Sequence, residues 1–151
     1  MVSSIPVSEP CLVGRELELV SDAVRSGWVS SAGPYIDKFE KNFAAYHGVK
    51  HCVALANGTA ALEVSLHAIG VKPGDEVIIP SFTIISLALA VLRLGAIPRL
   101  VDVDPDNWNL TAEGVQAALS DKTRAVIVVH GFGHPADMDP ILELARVHDI
   151  K

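Results

Sequence analysis

The sequence predicts an α/β fold in which helices cover both faces of a mostly parallel β-sheet. From His51 onward, apolar runs of strand length alternate with segments of helical periodicity, an order typical of a parallel sheet with crossover helices. Half of the 151 residues are hydrophobic, and the mean hydropathy is +0.36. This composition suits strands that are buried on both faces.

Residues 1–50 are predicted to form an amino-terminal arm and two helices. In the first helix, which Gly27 ends, apolar residues recur at helical spacing: Leu17, Val20, Ala23 and Val24. The second helix is marked by an apolar face and is closed by Gly48; its apolar positions are Ile36, Phe39, Phe43 and Tyr46.

Residues 51–151 are predicted to form the α/β domain itself. Its strand candidates are residues 52–56, 76–79, 99–103 and 125–130. Its helix candidates are residues 59–69, 84–94, 112–119 and 140–148. The two kinds of element alternate along the chain, so we expect neighbouring strands to be parallel.

Polar or glycine-rich turns follow all four predicted strands. They are Asn57-Gly58-Thr59, Ser81-Phe82-Thr83, residues 102–104 and residues 130–133. Open parallel sheets bind ligands beyond the carboxyl ends of their strands, so these turns predict a phosphate-bearing cofactor or substrate at one shared edge. Neither GxGxxG nor GxxxxGK[ST] is present, so this pattern alone does not identify the ligand.

The junction at Asn57-Gly58-Thr59 is the best candidate for the phosphate itself. The first turn of a helix has unpaired N–H groups and the positive end of the helix dipole, so it attracts an anion. Gly58 allows close approach of the backbone, and Thr59 is expected to cap the helix and to donate a hydroxyl group.

The composition argues against several other classes of protein. A formal net charge of −6 with scattered basic residues is unlike a nucleic-acid binder. The longest apolar stretch is interrupted by polar residues, and the first twenty residues lack an apolar signal segment, so we expect no membrane partner and a cytoplasmic location. The two cysteines lack CxxC spacing, and His130 and His134 would need further ligands at suitable spacing to hold a metal, so no metal site is expected.

Several segments follow one another in a specific order and spacing: IPVSEP (5–10), SGWVSSAGP (26–34), VKH (49–51), NGTAAL (57–62), GDEVIIPSFT (74–83), GAIP (95–98) with VDVD (101–104), and HGFGHPADMD (130–139). Together they resemble the nucleotide-sugar aminotransferases often called the DegT family. The resemblance covers the whole chain. It implies the large domain of the fold-type I transferases that use pyridoxal 5′-phosphate (PLP).

The resemblance also implies which residues hold PLP. The phosphate would be held at Asn57, Gly58, Thr59 and Ala60, which agrees with the helix-terminus argument. In the family an aromatic residue after the Pro-Ser pair stacks on the cofactor ring, but that position is Ile84 here. Either Ile84 packs on the ring by dispersion alone, or Phe82 replaces the aromatic residue.

In relatives, the aspartate that pairs with the pyridine nitrogen and the lysine that forms the Schiff base follow the segment that matches Ile150-Lys151. Neither residue is expected within this chain, so no catalytic residue is assigned to it. The chain is therefore interpreted as the amino-terminal part of the enzyme and is expected to be inactive alone. Its six lysines are interpreted as solvated charges.

Candidate substrate contacts are Trp28, Ser30 and Ser31, in a segment that lies near the substrate entrance in the family, and His130 at the sheet edge. A structural role is the alternative for His130. Trp28 is equally well explained as a hydrophobic anchor. Asp102 and Asp104 resemble paired acid–base carboxylates, but Asp104-Pro105-Asp106-Asn107 is better explained as a turn.

The predicted function is transfer of an amino group, from glutamate, to a keto-deoxy sugar linked to a nucleotide. The resemblance places this reaction in amino-sugar biosynthesis, for polysaccharide or lipopolysaccharide, and implies a homodimer. Within the family, the sequence most resembles perosamine-synthase-like members that use GDP-linked sugars. One alternative is a non-catalytic phosphate- or sugar-nucleotide-binding module. Another is a flavodoxin-like signalling domain with Asp102 as phosphate acceptor, although two predicted helices precede the first strand here.

Overall fold

The computed structural model describes residues 5–6 and 8–151, so residues 1–4 of the arm and Val7 of the IPVSEP segment lie outside the described residues. The elements, in chain order, are α1 (Glu16–Ser26), α2 (Pro34–Tyr46), α3 (Gly58–Ala68), β1 (Glu76–Pro80), α4 (Ser86–Arg93), β2 (Ile97–Val101), α5 (Ala112–Ala118), β3 (Thr123–Val126), a 3-10 turn (Gly131–Gly133) and α6 (Met138–Val147). All six predicted helices are confirmed. In that part of the chain no helix is long and apolar enough to cross a bilayer.

The elements belong to two compact units that divide between Ala54 and Leu55. The first unit contains α1 and α2. These helices are joined by the Tyr35 hydroxyl, which donates a hydrogen bond of 2.6 Å to Asp22 Oδ2 and thereby raises the pKa of Tyr35. Gly27 ends α1 with a φ of 76°, as predicted.

The predicted strand at residues 52–56 is wrong. A strand exists only where its backbone pairs with that of a neighbour, and this segment pairs with no strand among the residues that the structure describes. Its Ala54 N–H instead donates to the carboxylate of Glu40, at 2.8 Å. Alternation of apolar residues showed a segment suited to a strand but could not supply its partner.

The second unit contains a parallel sheet in the order β2-β1-β3, which confirms the predicted fold class. The central strand, β1, pairs with β2 over its full length, from Glu76 opposite Ile97 to Pro80 opposite Val101. This register places β2 at Ile97–Val101, which is two residues earlier than predicted.

The third strand is shorter than predicted because β1 ends in a proline. Ile127 N–H donates to Ile78 O at 2.9 Å. The next bond of a parallel ladder would need an N–H from Pro80, which has none. The segment 127–130 therefore continues without regular pairing to β1 and ends in the turn at Gly131.

Side chains of β1 alternate between two hydrophobic cores. Val77 and Ile79 are buried on one face beneath α3 and α4. Ile78 is buried on the other face with residues of α5 and α6, among them Val115 and Ile141. Helices therefore cover both faces, and the turns that follow the strands are left at the carboxyl edge of the sheet.

Candidate functional site

The amino terminus of α3 is capped by Asn57. Its Oδ1 accepts a hydrogen bond of 2.9 Å from Ala60 N–H. The prediction that Thr59 caps this helix is therefore wrong, because Asn57 has the extended backbone that places a side chain over the first turn. The N–H groups of Gly58 and Thr59 have no partner among the described residues. A Cβ added to Gly58 would meet no atom within 4 Å, so the backbone there is open to a ligand.

The first residues of α3 and α4 meet at this point. Thr59 Oγ1 lies 3.2 Å from Ser86 Oγ, and Ser86 is the first residue of α4. Within the described part of the chain, no side chain caps α4. Two helix termini, each with a hydroxyl group, therefore lie side by side, an arrangement that favours an anion. Sequence reasoning missed Ser86, although a serine that opens a helix next to a Pro-Ser turn was a usable signal.

Ser81 and Asp102 join the ends of β1 and β2. The hydroxyl of Ser81 donates to Asp102 Oδ1 at 3.0 Å, and the Val103 N–H donates to the same oxygen at 2.9 Å. Asp104 Oδ1 instead accepts from the N–H groups of Asp106 and Asn107, so the turn interpretation of Asp104 is confirmed. A cavity of about 500 Å³ opens between these turns.

Three aromatic side chains gather at this edge. The rings of Phe82 and Trp108 meet edge to face with centroids 4.6 Å apart, and Phe132 lies 6.3 Å from Phe82. Trp108 and Phe132 have positive φ angles of 63° and 48°, which are strained for aromatic residues. Ile84, the alternative partner of the cofactor ring, is 66% exposed.

Asn109 ties two of these turns together. Its buried side chain accepts from Gly131 N–H at 3.0 Å and donates to the carbonyl of His134 at 3.1 Å. Nearby, His130 Nδ1 accepts from Ala136 N–H at 3.1 Å, so in the neutral ring the proton is assigned to Nε2. Sequence reasoning identified His130 but missed Asn109, because its two partners are 22 and 25 residues away.

Replacing Asn109 with alanine is expected to lower the free energy of unfolding by about 2–3 kcal/mol, because Gly131 N–H and the His134 carbonyl lose their partner. Asn109→Asp is the second variant. It keeps the acceptor for Gly131 but places a buried carboxylate against the His134 carbonyl, so it should lower the free energy of unfolding at least as much as alanine does. Urea unfolding measures both variants. A loss well below about 1 kcal/mol for Asn109→Ala would contradict this account.

The remaining predicted residues belong to the first unit. Trp28 is half exposed and packs against Gly33, where an added Cβ would lie 2.9 Å from the indole. Ser30 and Ser31 are exposed. The contact with Gly33 is compatible with the anchor interpretation of Trp28.

The lysines of the second unit lie away from the carboxyl edge of the sheet. Lys72 and Lys122 precede the amino ends of β1 and β3, and Lys151 pairs through its backbone with Arg124 and Val126. Within residues 5–6 and 8–151 no three His, Cys, Asp or Glu side chains cluster as metal ligands would.

Comparison with known proteins gives a consistent result. The model of the DegT/DnrJ/EryC1/StrS aminotransferase family matches residues 10–151. A GDP-perosamine synthase of Caulobacter vibrioides is 48% identical over 97% of this chain, which spans 39% of the length of that relative. The solved aminotransferase of Psychrobacter cryohalolentis is 38% identical with a TM-score of 0.87, over 96% of this chain and 37% of the other. NtdA of Bacillus subtilis, solved with bound cofactor PMP, is 30% identical with a TM-score of 0.83, over 89% of this chain and 31% of the NtdA chain.

Proposed function

Because this chain belongs to the DegT/DnrJ/EryC1/StrS aminotransferase family, we propose that it is the amino-terminal part of a PLP-dependent nucleotide-sugar aminotransferase. The family is PLP-dependent, and a solved neighbour holds PMP, the aminated form of this cofactor. The chain spans 39% of its Caulobacter relative. The activity, substrates and partners proposed below are those of the whole protein.

The observation that carries the proposal is the pair of helix termini at the carboxyl edge. The free N–H groups of Gly58 and Thr59, with the hydroxyls of Thr59 and Ser86, are donors suited to a phosphate dianion. The open space at Gly58 fits such a group. The N–H of Ala60 is already used by Asn57, so we assign Ala60 a weaker role than the sequence implied.

The residues around this point would orient the rest of the cofactor. Ile84 is free to pack on the ring, whereas Phe82 is engaged with Trp108, so we assign the ring contact to Ile84. When bound, PLP supplies an aldehyde that accepts amino groups and a ring that withdraws electrons. The chain contributes binding and orientation, and we propose that the lysine and the aspartate that complete the site lie in the rest of the protein.

For the substrate we propose a keto-deoxy sugar linked to a nucleotide, with glutamate as amino donor. The 48% identity to a GDP-perosamine synthase favours a GDP-linked sugar. We further propose that the whole protein acts in amino-sugar biosynthesis for polysaccharide or lipopolysaccharide. We expect it to be a cytoplasmic homodimer without nucleic-acid or membrane partners. His130 would contact the substrate through Nε2, since Nδ1 is occupied.

The proposal is tested with the whole protein, PLP, glutamate and a GDP-linked 4-keto-6-deoxyhexose. We expect 2-oxoglutarate and an aminated sugar nucleotide, both measured by mass spectrometry. Binding of PLP or of the nucleotide without transfer of the amino group would instead support the non-catalytic module. Turnover with an amino donor other than glutamate would change only the proposed donor and would leave the proposed reaction in place.

The chain by itself is expected to form no specific adduct with PLP. The lysines of its second unit lie away from the candidate phosphate site. The measurement is borohydride reduction after incubation with PLP, followed by peptide mass spectrometry, with the whole protein as positive control. A stable adduct at one lysine of the chain would overturn this part of the proposal.

A further inference from the structure

The cavity of about 500 Å³ between the turns that follow β1 and β2 has a lining that the proposed cofactor does not use. Its volume lies within the range of about 300–1,000 Å³ that is usual for small-molecule sites. Its walls combine two aromatic side chains, Phe82 and Trp108, with two carboxylates, Asp102 and Asp104. The chemistry of this combination restricts what can bind there.

The aromatic wall is suited to a flat ring. Trp108 is 51% exposed even though its ring contacts Phe82, and Phe132 beyond it is 84% exposed. Adjoining exposed aromatic residues are uncommon in a folded chain and mark binding sites. The strained backbone of Trp108, with φ of 63°, holds this side chain at the cavity. A heteroaromatic ring could stack on the indole.

The carboxylates are suited to a ligand that donates hydrogen bonds. Asp102 Oδ1 is saturated by Ser81 and Val103, whereas its Oδ2 has no hydrogen-bond partner among the described residues. Carboxylates only accept hydrogen bonds, so the ring must present N–H groups. None of the described lining residues is cationic, so the cavity attracts a base and not a phosphate.

We propose that this cavity binds the guanine of a GDP-linked sugar, with Trp108 stacking on the base and Asp102 accepting from its N–H groups. Guanine carries two adjacent donors on one edge, N1–H and N2–H₂, and either can donate to the free Oδ2 of Asp102. The similarity to a GDP-perosamine synthase favours guanine over the other bases that carry an amino group. Uracil and thymine present one ring N–H between two carbonyl oxygens, which an aspartate would repel. This inference rests on the proposed function, because it assigns one part of the proposed substrate to named residues.

The test is calorimetric titration of the whole PLP-loaded protein with GDP and with UDP. Trp108→Ala is expected to weaken GDP binding about tenfold, the usual order for loss of one stacking partner, and Trp108→Phe to restore most of it. Asp102→Asn is expected to weaken GDP binding about tenfold as well. Asparagine keeps the oxygen that Ser81 and Val103 use and replaces only the unpartnered one, so the fold should be unaffected.

Asp121→Asn is the matched control, since this exposed aspartate precedes the amino end of β3 and does not line the cavity. It should bind GDP as the parent protein does. Unchanged GDP affinity in Trp108→Ala and Asp102→Asn, in a protein that still aminates a GDP-linked sugar, overturns this inference and leaves the proposed function in place. UDP binding as tight as GDP binding also overturns it. Absence of both nucleotide binding and amino transfer overturns the proposed function.

Discussion

Replacing Gly58 with aspartate is expected to weaken PLP binding about 100-fold or more, because the new carboxylate would stand beside the phosphate. Like charges about 4 Å apart repel by about 4 kcal/mol at the effective dielectric of a protein surface. The fold should tolerate the change. A Cβ at position 58 meets no atom within 4 Å, and an acidic residue in the first turn of a helix is favourable. The measurements are absorbance titration of the whole protein with PLP and thermal unfolding of the same protein without PLP.

Gly58→Asn is the matched control, because asparagine has the same size and no charge. We expect it to weaken PLP binding less than aspartate does, because it fills part of the open space at Gly58 without adding a charge. Equal losses for the two variants would indicate steric exclusion and not repulsion of a phosphate. Unchanged PLP affinity in Gly58→Asp would place the phosphate elsewhere and would remove the main support for the proposed function.

Ile78→Ala is expected to lower the free energy of unfolding by about 3–4 kcal/mol, the usual cost of a large cavity in a packed core. Ile78 lies on the central strand and is 0% exposed. Its side chain packs in one cluster with Val101, Leu110, Val115 and Ile141. Because this cluster holds α5 and α6 against the sheet, its loss should loosen that face first. Urea unfolding followed by circular dichroism measures the change.

Ile85→Ala provides the comparison, since the same side chain is 67% exposed there. It should change the free energy of unfolding by no more than about 0.5 kcal/mol, as is usual at the surface. Similar losses at both positions would show that Ile78 does not occupy a packed core in solution.

The helices and the central strand could be predicted because their signals are local. Apolar periodicity placed β1 at 76–79, and the structure places it at Glu76–Pro80. The strand predicted at 52–56 was wrong because pairing is a property of two segments, and the sequence of one segment does not show its neighbour. The early end of β3 depended on Pro80, which is more than forty residues away along the chain.

In the candidate site, too, the features set by local sequence were predicted and those set by distant contacts were not. Asn57-Gly58-Thr59 and Ser81-Phe82-Thr83 were identified as turns at strand ends, and the roles proposed for them remain predictions. Asn109 was missed because nothing in its neighbourhood along the chain distinguishes it, and Ser86 was missed although it opens a helix next to a Pro-Ser turn. Their partners, Gly131 and Thr59, come close only after the chain has folded.

By itself, the sequence determined the order of the six helices and of three of the four predicted strands, the parallel α/β class and the turns with donors for an anion, because each depends on neighbours within a few residues. Only the tertiary structure decided that Asn109 joins Gly131 to His134, that Thr59 meets Ser86, and that Trp108 and Asp102 line one cavity. The physical reason is that hydrogen bonds and ring contacts depend on distances of a few ångströms between segments far apart in the chain.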